Sequence, residues 1–112
     1  MKSFLFTVLG LFSSLLLNAQ ITRIDPPNWW VGMQNNELQL LIHGDVISSY
    51  KVRVEGTDVR LKGVHKADSP NYLFVDLEIG ATAPSVFQLL FENDATRFSA
   101  SYELKSRSFS AS

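Results

Sequence analysis

Tyr72-Leu73-Phe74-Val75-Asp76-Leu77-Glu78-Ile79 decides the fold class. Leu73, Val75, Leu77 and Ile79 fall on one side of an extended chain, with Asp76 and Glu78 on the other. That period of two marks a strand with one dry and one wet face. Outward from it the pattern repeats. Glu37 to His43 sets Leu38, Leu40 and Ile42 against Glu37, Gln39, Leu41 and His43, and Tyr50 to Glu55 sets Tyr50, Val52 and Val54 against Lys51, Arg53 and Glu55. Thr96 to Leu104 alternates through Phe98, Ala100, Tyr102 and Leu104. Asp58 to Val64 offers Val59 and Leu61 before Gly63 interrupts, at an expected bulge. Val86 to Phe91 is nearly all apolar and is predicted to be buried on both sides or central in its sheet. A short segment from Thr22 to Asp25 makes about seven strands.

The punctuation agrees. His43-Gly44-Asp45, Glu55-Gly56-Thr57-Asp58, Asp68-Ser69-Pro70-Asn71, Ala83-Pro84-Ser85 and Glu92-Asn93-Asp94-Ala95 are turn chemistry. No long window outside the N-terminal run has helical periodicity. The expected fold is all-β, an immunoglobulin-like antiparallel β-sandwich without the cysteine pair of antibody domains.

Length and charge narrow the function. The 112 residues are too few for a (β/α)₈ barrel, which needs roughly 250. A formal charge of −1 without a basic stripe argues against nucleic acid as a partner. Two histidines and no cysteine offer little from which to build a zinc or iron site.

Met1-Lys2, the apolar run from Phe4 to Leu17 and the small residue Ala19 have the layout of a cleaved signal peptide, residues 1–19. Gly10, Ser13 and Ser14 dilute the run, which is shorter than the ~20 residues of a membrane anchor. The mature chain, beginning at Gln20, is then expected in an exported compartment and free of the membrane. A sandwich over 20–105 follows, and the serine-rich stretch 106–112 reads as a linker or tail.

The search for chemistry yields no catalytic residue. His43 and His65 have no triad partners placed by a motif, and Asp76 and Glu78 on one flat face cannot flank a sugar in a cleft. Asp25 to Met33 is different. Two prolines stiffen its entry, Trp29 and Trp30 follow, and Gly32 permits close backbone approach. In an extended chain the two indoles point opposite ways, so one can plug the sandwich while the other meets a neighbouring domain or the apolar face of a sugar.

Pro26-Pro27-Asn28-Trp29-Trp30-Val31-Gly32-Met33, with Glu37 to Gly44, Ser69 to Leu77 and the closing Tyr102-Glu103-Leu104-Lys105, resembles the N-terminal domain of cyclomaltodextrinases and neopullulanases. These are α-amylase-type enzymes of glycoside hydrolase family 13, and the likeness runs from Arg23 to Arg107. Pro84-Ser85 stands where the family pattern has Pro-Gly.

The resemblance implies a non-catalytic, immunoglobulin-like domain preceding a catalytic barrel. It packs on its own barrel or that of a partner subunit and narrows the cleft for cyclodextrins or maltodextrins, in a periplasmic enzyme of the Bacteroidota type. Residues 106–112 would then begin the linker to that barrel. Trp29, Trp30 and Met33 are the residues carried over as sugar- or domain-contact candidates. No cofactor or metal is expected in this chain; calcium stays open for the parent enzyme only, since no loop here has Asp-rich spacing. The alternatives are a free-standing carbohydrate-binding module using a surface tryptophan, and a structural sandwich of the envelope.

Overall fold

The computed structural model describes residues 21–106, so the expected signal peptide (1–19) and most of the expected linker (107–112) lie outside the described residues. Eight strands follow in order: β1 (Ile21–Asp25), β2 (Asn28–Val31), β3 (Glu37–Gly44), β4 (Lys51–Glu55), β5 (Val59–Lys66), β6 (Tyr72–Ile79), β7 (Val86–Glu92) and β8 (Arg97–Ser106). A 3₁₀ turn, Ile47–Ser49, precedes β4. The strands form two four-stranded sheets, β1-β3-β6-β5 and β2-β8-β7-β4. This is the immunoglobulin partition, with the N-terminal strand divided between the sheets.

Register turns the alternation into a core. Leu38 faces Leu77, Leu40 faces Val75 and Ile42 faces Leu73 in the first sheet. In the second, Phe87 pairs with Tyr102, Phe91 with Phe98 and Val52 with Phe91. The inward side chains meet between the layers, where the Phe91 and Phe98 rings stack at 4.9 Å and Tyr50 meets Phe98 edge-on at 5.2 Å. With no cysteine, burial of this apolar surface holds the layers together, at about 1.5–3 kcal/mol for each fully buried aliphatic or phenyl side chain.

Three expectations change. Asn28–Val31, read as a stiff contact segment, is an eighth strand, and it runs parallel to β8 while the other pairs are antiparallel. β7 is central in its sheet, between β8 and β4, as one of the two readings of its apolar run expects, but it is dry on one side only: Phe87, Leu89 and Phe91 are buried, whereas Val86 is exposed and Leu90 half-buried, because a two-layer sandwich leaves the outer side of each sheet open. Leu61 is exposed because β5 is an edge strand, and the bulge expected near Gly63 lies between Leu61 and Gly63. Ser85 is outside the left-handed region and its carbonyl accepts from the Leu104 N–H at 2.8 Å, so the turn does not require glycine.

Two loop pairs are locked across the sandwich. Val46 sits at φ 45°, ψ 38°, a conformation hostile to a β-branched residue. It is held there by its N–H donating to Asn71 Oδ1 at 2.9 Å, while the Gly44 N–H donates to the Asn71 carbonyl at 3.0 Å. Asp58, at φ 61°, accepts from the Thr82 N–H and hydroxyl through Oδ2, at 3.0 and 2.7 Å.

Candidate functional site

The Trp29–Trp30 segment begins where the chain changes sheets. β1 ends at Asp25, the Asp25–Pro26 peptide is cis, and β2 starts at Asn28 in the other layer. The crossing is fixed from β8: the Tyr102 hydroxyl donates to the Pro26 carbonyl at 2.6 Å. Tyr102 is buried against Phe87, ring centroids 5.4 Å apart, and that burial pushes its phenol pKa up. The hydroxyl therefore stays protonated as a donor.

From this anchor β2 lies along the end of β8, with Trp29 opposite Leu104 and Trp30 opposite Lys105. Trp29 turns inward and packs on the core, while Trp30 turns outward and is 37% exposed. The indoles still meet around the sheet margin, edge to face, with centroids 5.5 Å apart and planes at 63°. Gly32, at φ 79°, ends the strand in the left-handed region that a side chain would strain. Met33 follows it, half-buried and outside the strand. The structure thus joins the two tryptophans into one aromatic unit, half core and half surface, and places Met33 past the turn.

The titratable groups concentrate on the outward side of the first sheet. Asp76 accepts from the Gln39 amide at 2.8 Å and sits 2.7 Å from His65 Nε2. Glu78 is bridged by Arg60 at 2.6 Å, and Lys62 lies 4.0 Å from it. Hydrogen bonding from Gln39, then His65, holds the Asp76 carboxyl below its ordinary pKa, and Arg60 does the same for Glu78. A glycosidase acid must have its pKa raised so that it carries a proton. Both carboxylates here are driven the other way, so their pairing stabilises a solvated face. His43 is equally occupied, its Nδ1 2.6 Å from the Thr22 hydroxyl and its ring 4.5 Å from that of Tyr72.

Sequence reasoning missed Tyr102 as the residue that sets the tryptophans in place. An available signal was a tyrosine at an inward position, since a buried hydroxyl normally has a partner.

Residues 23–108 match the family described as cyclomaltodextrinase, N-terminal. The match takes in the Trp-Trp segment, the Asn71–Leu77 block and the closing strand, and extends over most of the 112 residues. The chain belongs to the family of cyclomaltodextrinase N-terminal domains, non-catalytic parts of glycoside hydrolases of the α-amylase type.

Proposed function

We propose that this chain is the packing and cleft-shaping domain of an exported maltodextrin-hydrolysing enzyme that works in the periplasm. Trp29 anchors the aromatic unit in the sandwich, and Trp30 lies against the catalytic barrel, helping to narrow the cleft so that cyclodextrins and short maltodextrins enter in preference to starch. The observation that carries this reading is an indole 37% exposed beside a core-anchored one, in a domain of this family. A tryptophan held at its edge by a core-anchored neighbour, with the rest of its ring open to solvent, suits contact with a flat apolar surface.

An immunoblot of periplasmic extract, with antibody raised to residues 20–112, tests it. A band several-fold larger than the domain supports a parent hydrolase. A band of domain size overturns the reading, as does a signal confined to the cytoplasm.

The same exposed indole favours one second reading, a sugar-binding module, because indole faces stack on pyranose rings. Titrating the chain with maltoheptaose or β-cyclodextrin while following tryptophan emission separates the two. A saturable change lost in Trp30→Ala supports the module; a flat trace removes it.

A further inference from the structure

β5 is an edge of the first sheet, and its pairing with β6 is interrupted at the bulge between Leu61 and Gly63. A bulge leaves a residue out of the ladder, so each half of the strand depends on its own ties to β6. The two halves are tied by different chemistry. Before Gly63, Arg60 bridges Glu78 at 2.6 Å and Lys62 lies 4.0 Å from the same carboxylate. Guanidinium and ammonium groups stay charged through neutral pH and well above it. After Gly63, the side-chain tie among the described residues is His65 to Asp76, Nε2 to Oδ2 at 2.7 Å; Lys66 forms no ion pair there.

The backbone makes room for that tie. Gly63 stands opposite Asp76 and His65 opposite Phe74, so the imidazole reaches diagonally across Gly63. A Cβ on Gly63 would already touch the ring, 3.5 Å from Nε2, and a larger side chain would stand in its path. The Asp76 oxygens are divided: Oδ1 accepts from the Gln39 amide on β3 at 2.8 Å, which leaves Oδ2 for the imidazole. Gln39 carries no charge, so the proton on His65 decides whether the tie is an ion pair. The other charged groups around it are Arg60, Lys62 and Lys66 on β5 and Glu78 on β6, which Arg60 already holds. Glu37 and His43 lie on β3, beyond β6, and Lys51, Arg53 and Glu55 of β4 point outward from the other sheet.

We propose that His65 is a proton-operated latch on the edge of the first sheet. With the imidazole charged, the half of β5 after Gly63 is closed on β6. With it neutral, that half opens more readily and leaves the β6 backbone beside Val75 unpaired on that side. Imidazole takes up its proton between pH 5 and 8, and a charge-assisted hydrogen bond is roughly twice as strong as a neutral one. The protonated form gains a partner in the fold, so the latch is engaged on the acid side of neutrality, down to where Asp76 itself is protonated, and is released as pH rises. Arg60 and Lys62 keep the half before Gly63 closed throughout. Sheet edges are where another strand can add, so the latch makes the availability of this edge depend on pH.

Amide hydrogen exchange of the full chain, followed by NMR from about pH 5.5 to about pH 8.5 and corrected for intrinsic rates, reads each half separately. Protection after Gly63 should fall by about two- to fivefold as pH rises, the size expected of a pair whose histidine is 59% exposed. Its midpoint should coincide with that of the His65 ring proton signals. Protection before Gly63, and in the second sheet, which holds no histidine, should stay level. His65→Gln and Asp76→Asn should each give the low level throughout, and His65→Arg, charged across the whole range, should hold the high level. A wild-type profile that is flat after Gly63, or a slope that survives in His65→Gln, overturns the latch. So does a His65→Arg chain that follows the wild-type slope, or an equal change in both halves of β5, which would mark a global loss of stability.

Discussion

Tyr102→Phe isolates one hydrogen bond at the point where the chain changes sheets. The substitution removes only the hydroxyl that donates to the Pro26 carbonyl at 2.6 Å, and the ring can stay in place against Phe87. A typical intramolecular hydrogen bond contributes about 1 kcal/mol net, and stranding a fully buried acceptor costs about 1–3 kcal/mol. Pro26 is only half-buried, so water can reach part of its carbonyl and the lower figure applies. For a domain of this size about 1 kcal/mol lowers the thermal midpoint by about 4–8 °C.

A second arm uses pH. Burial raises the folded-state phenol pKa above its unfolded value of about 10, so the neutral hydroxyl's stabilisation is complete below about pH 10 and is lost as pH rises further. Tyr102→Phe should lack that part of the alkaline decline. Thermal melts and urea titrations from pH 7 into the alkaline range, followed by tryptophan emission and circular dichroism, read both effects. An unchanged midpoint, or an alkaline decline identical in both proteins, would falsify the anchoring role. A loss beyond ~3 kcal/mol would show that the backbone, and not one bond, had been disturbed.

Three further outcomes follow from the loops and the first sheet. Val46→Asn should raise stability by about 1 kcal/mol, because asparagine tolerates the left-handed conformation and the valine side chain is 45% exposed; equilibrium urea unfolding measures it, and a loss refutes the strain argument. Gly80→Ala should destabilise by about 1–3 kcal/mol, since its Cβ would overlap the Asp58 carboxylate that grips Thr82; the penalty should shrink in an Asp58→Gly background, as a double-mutant cycle reports. Acid should weaken the fold through Asp58, Asp76 and Glu78. Their folded pKa values are depressed by hydrogen bonds and by Arg60, so their stabilisation is present above the ordinary carboxylate range and is lost as pH falls through the folded values. Urea midpoints between neutral pH and pH 2.5 should fall, less steeply in Glu78→Gln; parallel curves would rule that contribution out.

Most of the sandwich was legible because its signal is local. The inward Leu73, Val75, Leu77 and Ile79 stand two apart in sequence, and the pleat converts that spacing into a buried side whatever the partner strand is. β2 was illegible as a strand for the opposite reason. Two prolines and two tryptophans mask its alternation, and its pairing of Trp29 with Leu104 spans most of the domain. The exposure of Val86 was equally hidden, since an apolar run carries no mark of whether a second layer covers it. At the candidate site, opposite directions for the two indoles followed from extended geometry. Their edge-to-face contact and the Tyr102 anchor depend on a sheet edge that no local pattern reveals.

The parallel pairing of β2 with β8 also decides how the domain bears load. These strands lie near the two ends of the described chain, and tension drawing residue 28 and residue 106 apart pulls them in opposite directions along their common axis. The bonds joining Asn28–Val31 to Glu103–Ser106 are then strained together, in shear, where a hairpin pulled open at its mouth would release them one by one. The short strand carrying both tryptophans is in that geometry a mechanical clamp.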